Sequence, residues 1–284
     1  MRPAAACTAL LVVLVLAGCG GAEPTTIRST KAVATRDLDS IAVIGHSGAT
    51  GTLSDPLDPS RDARENSWAT GDNTEVDSVY LRLLEDHPAL KGHNYNEAVN
   101  GTAVDDLVPQ FESVLAKANP LPDVILIQSI DNDMRCDGTD SENYGPFGKA
   151  LDRALTHMEN AIPDVQFFFV SQWSSAQIWT AWAGHHIEQV RAFSGAGPCQ
   201  LFHKGKPRKA GIQTMQKIVD SYWAQIVTVC AAHPECFTDH GVEQRFVPTD
   251  QDLAADLNHL SIAGHRKFAA IAWAAFPDEI KQRR

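Results

Sequence analysis

Apolar residues along the chain alternate between short continuous runs and stretches with helical spacing. The runs predict strands at 40–45, 93–99, 123–129, 165–171 and 243–248. Apolar positions recurring every three or four residues predict helices at 76–84, 104–115, about 145–161, 212–226 and from 262. Alternating strands and helices are typical of a mainly parallel sheet covered on both faces. We therefore predict a three-layer α/β fold.

The first residues have the pattern of an export signal rather than of a folded element. Arg2 precedes the apolar stretch ALLVVLVLAG, which is short for a membrane span. The following LAGC resembles the bacterial lipobox, which makes Cys19 a predicted lipidation site; an ordinary signal peptide is the alternative. We predict a signal at 1–18, a tether at 19–37 and one domain at 38–284. An insertion is expected at about 172–211.

Composition and charge narrow the possible partners. The 284 residues are 44% hydrophobic, which suits one domain with a full core. The formal net charge is -11 and no lysine or arginine cluster is present in the sequence, so nucleic acid is not an expected partner. We expect a monomer that is exported and either anchored through lipid at the outer face of the membrane or secreted.

Cysteine usage agrees with export. Beyond Cys7 and Cys19, the chain has Cys136, Cys199, Cys230 and Cys236. An even number in an oxidising compartment predicts two disulfides, for which three pairings are possible. Cys230 with Cys236 is favoured because CAAHPEC can close as a local loop, which pairs Cys136 with Cys199. His233 allows a zinc alternative, but no second group of ligands has suitable spacing, so no metal or other cofactor is expected.

Groups suited to acyl transfer lie where the predicted strands end, the edge at which functional residues of parallel sheets gather. Ser47 follows the first strand as a candidate nucleophile. His259 could take its proton, and Asp256, three residues earlier, could orient the imidazole. The backbone N–H groups of Gly101 and Ser47, with the side-chain amide of Asn132, could bind the oxyanion.

Together these blocks make the chain resemble the SGNH (GDSL-type) hydrolases. Ser47, Gly101, Asn132 and the Asp256/His259 pair follow the family's order across nearly the whole domain, and NGTAVDDL and HLSIAGHRKFA resemble their surroundings. The resemblance implies a flavodoxin-like, five-stranded sheet and hydrolysis of carboxylic esters through a seryl acyl-enzyme. The substrate would be a small-molecule, lipid or acylated-glycan ester.

Two positions depart from the family pattern. His46 stands where the first block has aspartate, and Ile130 stands where the third block has glycine. Neither change removes a group that transfers a proton. We expect them to affect the charge and shape of the pocket near the nucleophile.

Two other interpretations remain open at this stage. GHSGA (45–49) nearly matches the nucleophile elbow of α/β-hydrolases, although Ser47 ends the first strand of the domain. Alternatively, the protein is a non-catalytic lipoprotein that binds a glycan or acyl chain through Trp173, Trp179 and Trp182 of the insertion. Helical packing of these tryptophans on the domain explains their spacing equally well.

Overall fold

The computed structural model describes residues 37–283. The predicted signal at 1–18, the lipidation site at Cys19 and all but the last residue of the predicted tether lie outside this range. No helix in the described range has both the length and the apolar character needed to cross a membrane.

Strands and helices alternate through the described residues, as the apolar pattern predicts. The strands are β1 (Ile41–Gly45), β2 (Asn94–Asn96), β3 (Val124–Gln128), β4 (Gln166–Val170), β5 (Phe202–His203), β6 (Lys206–Pro207) and β7 (Cys236–Thr238). The α-helices are α1 (Val79–Asp86), α2 (Leu107–Lys117), α3 (Asp140–Ala161), α4 (Ala176–Ala183), α5 (Ile187–Ser194), α6 (Lys209–Cys230), α7 (Ile262–Ala275) and α8 (Asp278–Lys281).

Five of the strands form one parallel sheet in the order β2-β1-β3-β4-β7. This is the flavodoxin-like order, which confirms the predicted three-layer α/β fold. All strands end at the same edge, so the loops that follow β1, β2 and β3 meet there.

Successive residues of each central strand enter two separate cores, one on each face of the sheet. In β1, Ile41 and Val43 pack with α1 and α7, whereas Ala42 and Ile44 pack with α2, α3 and α6. Side chains alternate across a strand, so a strand buried on both sides must be apolar throughout. This explains why β1, β3 and β4 are continuous apolar runs.

The predicted strand at 243–248 is wrong. Val242–Arg245 forms a 3-10 turn, and the fifth strand of the sheet is β7, Cys236–Thr238. Phe246 is fully buried, but it packs beside Trp173 rather than within the sheet. The turn is held because the Glu243 carbonyl accepts hydrogen bonds from the N–H groups of Ser174 and Phe246.

Two disulfide bonds are present, Cys136–Cys199 and Cys230–Cys236. This is the pairing favoured by the sequence. The second bond joins the end of α6 to the start of β7. The first joins the loop after β3 to the insertion, which contains α4, α5 and the β5–β6 hairpin.

Candidate active site

Ser47 lies in a tight turn immediately after β1. The turn is a short 3-10 helix, Ser47–Ala49, that begins at His46. The His46 ring caps it, because Nδ1 accepts a hydrogen bond from the Gly48 N–H at 3.0 Å. The Ser47 carbonyl accepts from both the N–H and the hydroxyl of Thr50. The turn therefore fixes Ser47 at the carboxyl edge of the sheet.

The sheet packs so closely against this turn that glycine is required at Gly45, and a larger residue at Gly48 would force the Gln128 side chain to move. Gly45 has a φ of +130°, and a Cβ there would come within 1.9 Å of the Gln128 carbonyl oxygen. A Cβ on Gly48 would come within 2.6 Å of the Gln128 side-chain amide. Gln110 of α2 bonds both the N–H and the carbonyl of Gly45.

Asp256 and His259 form a hydrogen-bonded pair in the loop before α7. The distance from Asp256 Oδ2 to His259 Nδ1 is 2.6 Å, and the other carboxylate oxygen accepts the N–H groups of Asn258 and His259. Burial alone raises the pKa of Asp256, but the hydrogen bonds from His259 and Asn258 outweigh it and lower the pKa below the usual value. Asp256 is therefore a carboxylate, and the Nδ1 atom of His259 carries hydrogen.

The loop that holds this pair is closed at its base. Leu253 and Leu260 form an antiparallel bridge, and the Ala254 N–H donates to the His259 carbonyl at 2.8 Å. The Trp179 indole of α4 donates to the Leu257 carbonyl at 3.2 Å. The sequence spacing of three residues thus places both side chains in one rigid loop.

The candidate oxyanion groups come from two neighbouring loops. Gly101 has a φ of +75°, is exposed, and has no atom within 4 Å of the position that a Cβ would occupy. Asn132 is also exposed, and its Nδ2 donates to the Thr102 carbonyl at 2.9 Å. This bond joins the third-strand loop to the loop that contains Gly101. The second hydrogen of the Asn132 amide is left for another acceptor.

A cavity of about 180 Å³ lies beside Ser47. Asn132 and Asn258, the residue before His259, also line it, so three of the predicted blocks meet around one space. Larger cavities lie elsewhere, such as one of about 400 Å³ near Pro120 and Arg283. That space adjoins the starts of β3 and β4, at the opposite edge of the sheet from Ser47.

Comparison with known proteins was made at the levels of sequence and structure. No family model and no curated protein matches the sequence. A crystal structure of TesA matches with a TM-score of 0.50 and 12% identity, over 84% of this chain and 99% of that one. A Clostridium thermocellum family 3 carbohydrate esterase matches with a TM-score of 0.50 and 14% identity, over 86% of this chain and 96% of that one. The chain has the SGNH hydrolase fold.

A further SGNH-fold match is a family two carbohydrate esterase from Clostridium thermocellum, in complex with cellohexaose. The TM-score is 0.50 and the identity 16%, over 84% of this chain and 64% of that one. At identities this low, the structural similarity shows a shared fold. It does not assign roles to individual residues of this chain.

The two departures from the SGNH pattern have distinct structural consequences. His46 is 1% exposed, and its Nε2 lies 3.8 Å from Asp131 Oδ2. Burial lowers the pKa of His46, Asp131 partly offsets this effect, and His259 adds to the lowering. Ile130 is fully buried with a φ of +107°, a conformation that glycine adopts readily and a β-branched residue rarely does.

Two more buried titratable groups lie close in sequence to the candidate residues. Burial, with a smaller contribution from His259, lowers the pKa of His265 on α7 to about 3. Burial raises the pKa of Asp133 to about 6, although the Val104 N–H donates to it. Asp133 thereby joins the third-strand loop to the turn before α2.

The tryptophans of the insertion are mostly packed inside the molecule. Trp173 and Trp179 are 6% and 8% exposed and line the cavity beside Ser47. The Trp182 ring packs at a tilted angle against His186, with 4.5 Å between ring centroids, and its indole N–H donates to Asp250. The arrangement matches the helical-packing interpretation of their spacing better than a surface for glycan capture.

Within residues 37–283, no group of three or more His, Cys, Asp or Glu side chains is arranged to hold a metal ion. The segment considered for zinc has other contacts. Cys230 is bonded to Cys236, and His233 lies between the carboxylates of Glu159 and Asp152.

Sequence reasoning missed several residues that support the site, including Gln110, Gln128 and Asp133. Each bonds or packs against a loop that is distant in sequence. Gln110 alone left a sequence signal, because it is a polar residue directly before Phe111 on the apolar side of α2.

Proposed function

We propose that the protein is a serine hydrolase that cleaves carboxylic esters through an acyl-enzyme. The observation that carries the proposal is the 2.6 Å hydrogen bond between Asp256 Oδ2 and His259 Nδ1, in a loop that adjoins the same cavity as Ser47. A partly buried carboxylate on Nδ1 fixes the tautomer in which Nε2 is free to accept a proton. The three structures with the same fold described as TesA and carbohydrate esterases make ester hydrolysis the first activity to test.

In the proposed reaction, His259 Nε2 takes the proton of the Ser47 hydroxyl while Ser47 Oγ attacks the ester carbonyl. The Ser47 and Gly101 N–H groups and the Asn132 amide stabilise the oxyanion. The intermediate collapses, the C–O bond to the alcohol breaks, and His259 gives its proton to the leaving oxygen. Water then repeats these steps on the acyl-enzyme, releasing the acid and restoring Ser47.

The local electrostatics support this assignment of roles. The lowered pKa of Asp256 keeps it negative opposite the imidazole, so it stabilises the imidazolium that forms during attack. Its Coulomb attraction is strengthened because both side chains are less than one fifth exposed. The hydrogen bond between Asn132 and the Thr102 carbonyl supports the inclusion of Gly101, the neighbour of Thr102, in the same oxyanion site.

A fluorophosphonate probe tests the nucleophile directly, because it labels an activated serine covalently. The purified protein should gain one adduct at Ser47, and Ser47→Ala should gain none. Ser221→Ala is a matched control, because this hydroxyl lies on α6 and bonds the Lys217 carbonyl away from the cavity. Labelling of Ser47→Ala at the rate of the unaltered protein, with an unchanged melting temperature, would disprove the assignment.

Export and lipid attachment through Cys19 belong to the same proposal. The two disulfides support export, since such bonds persist in oxidising compartments. The substrate is accordingly sought among small-molecule, lipid or acylated-glycan esters outside the cytoplasm. Growth with labelled palmitate should label the protein, and Cys19→Ser should remove the label and free the protein from membranes. Equal labelling of Cys19→Ser would contradict the lipid anchor.

A further inference from the structure

The cavity beside Ser47 has a mixed lining. Its polar residues are Ser47, Asp131, Asn132, Gln172, Ser174, Ser175 and Asn258. Its apolar residues are Met134, Trp173, Ala176, Trp179, Pro198 and Met215. A lining of this kind suits an apolar group attached to a polar reacting centre.

Part of the apolar lining comes from the insertion, which is held in place by long-range contacts. Cys199, next to Pro198, is bonded to Cys136, two residues from Met134. At the start of α4, the Ala176 N–H donates to the Gln216 side chain of α6 at 3.0 Å, and Gln216 adjoins Met215.

A second pair of contacts ties α4 to the far side of the site. The Trp179 indole donates to the Leu257 carbonyl in the loop of the Asp256/His259 pair. The Trp182 indole N–H and His186 Nε2 both donate to Asp250 Oδ1, and the two rings pack against each other at a tilted angle. The insertion is therefore a fixed wall, joined to the loops on both sides of the cavity.

The volume of the cavity limits what this wall admits. An apolar protein cavity of about 150 Å³ accommodates benzene, so about 180 Å³ accommodates an acyl group of about six carbons. The pocket is partly open, so the rest of a decanoyl or palmitoyl chain would extend beyond it without this apolar cover.

We propose that the Cys136–Cys199-anchored insertion makes this cavity an acyl pocket of limited length, selective for esters of short acids of about six carbons or fewer. The proposal rests on the proposed ester hydrolysis. In this arrangement, Met215 determines the depth available from α6, and the disulfide determines the position of the Pro198 wall. Neither group takes part in proton transfer.

The test is kcat/KM for p-nitrophenyl acetate, butyrate, hexanoate, decanoate and palmitate, measured on the full chain in detergent below its micellar concentration. We expect a maximum at six carbons or fewer and a fall of about ten-fold or more by decanoate, since a misfit of one methylene alone changes kcat/KM about ten-fold or more. Met215→Ala should shift the maximum to longer acyl chains, and Met215→Phe should shift it to shorter ones.

The disulfide is tested by Cys136→Ser/Cys199→Ser against Cys230→Ser/Cys236→Ser. Both double variants lose one disulfide, but only the first should raise the ratio of decanoate to butyrate turnover. If Cys136→Ser/Cys199→Ser does not fold, Met215→Ala and Met215→Phe still test the size limit. Decanoate turnover equal to butyrate turnover in the unaltered protein, or one unchanged profile in both Met215 variants, overturns the proposal.

Measuring ester binding to Ser47→Ala tests the size limit of the pocket separately from ester hydrolysis. Trp173 and Trp179 line the cavity, so their fluorescence should respond when methyl butyrate or hexanoate binds to Ser47→Ala, and respond less to methyl decanoate. Size-selective binding without Ser47-dependent turnover contradicts ester hydrolysis but retains the size limit. Turnover without size preference contradicts the size limit alone.

Discussion

The imidazole of His46 accepts a hydrogen bond from the N–H of Gly48, at 3.0 Å between Nδ1 and N. This bond encloses Ser47 between its two partners. The SGNH pattern has an aspartate at this position, and a carboxylate is also a hydrogen-bond acceptor. The departure at His46 therefore retains an acceptor while removing a negative charge from the turn.

Replacing His46 tests the importance of this acceptor. His46→Asn retains a side-chain oxygen and should keep most of the activity, whereas His46→Phe leaves the Gly48 N–H without its partner. That loss should lower the free energy of unfolding by about 1–3 kcal/mol and reduce kcat. Equal kcat and equal stability for both variants in ester hydrolysis and urea denaturation would contradict this role.

Asp256→Asn should reduce kcat/KM for the best ester by about 10⁴-fold, because an amide no longer fixes the Nδ1–H tautomer of His259. Asp278→Asn provides the control, because Asp278 is 76% exposed, pairs with Lys281 on α8 and does not line the cavity. Comparable losses in the two variants would reject Asp256 as the partner of the base.

Asn132→Ala should reduce kcat by about 10²- to 10³-fold with a small change in KM, since an oxyanion donor acts mainly in the transition state. The side chain is exposed, so the melting temperature should change little. Steady-state kinetics and a thermal melt together test this expectation. Loss of activity only in proportion to loss of folded protein would indicate a structural role.

Glu243→Gln tests a buried carboxyl group outside the reaction. Burial, with a contribution from Asp239, raises the pKa of Glu243 well above its usual value, so the folded protein retains a proton that the unfolded chain releases above about pH 4.5. The contribution of Glu243 to the free energy of unfolding is fully present at low pH. It falls by about 1.4 kcal/mol per pH unit as the pH rises toward the folded pKa. Urea denaturation at pH 5 and pH 8 should show a smaller decrease for Glu243→Gln than for the unaltered protein.

Glu188→Gln is the control for that comparison, because Glu188 is 81% exposed. It should follow the unaltered protein at both pH values. Parallel pH dependence of all three proteins would contradict a protonated Glu243 in the folded state.

His265 gives a pH dependence of the opposite sign. Its folded pKa of about 3 lies below the usual 6.5, so its neutral form contributes full stability above about pH 6.5, and this is lost as pH falls toward 3. His265→Phe should therefore give a shallower decrease in melting temperature between pH 6.5 and 4. A decrease as steep as that of the unaltered protein would contradict this prediction.

Sequence periodicity predicted the central strands and the long helices because those elements are buried on defined faces. It missed β7 because Cys236 to Thr238 are only partly buried and form no apolar run. The 243–248 segment misled because Phe246 is buried by a loop contact rather than by a sheet. Local composition does not distinguish these two kinds of burial.

In the candidate site, too, local features were predicted from the sequence and features that depend on tertiary contacts were not. The Asp256/His259 spacing and the Ser47 turn are local features, so the residues themselves suggested them. The path of the insertion, the bond from Asn132 to Thr102 and the support of Gly45 by Gln110 depend on tertiary contacts between distant segments. Such contacts leave little or no periodic signal in one sequence.

The closed loop of residues 253–260 also affects the order in which the site assembles. Asp256 and His259 meet through contacts within a few residues, so bringing them together closes only a short loop of chain. Ser47 lies near the other end of the domain, and its position relative to them depends on the packing of β1 and α7 in the same core. The Asp256–His259 pair therefore needs only local contacts, whereas its placement relative to Ser47 depends on docking of the C-terminal segment.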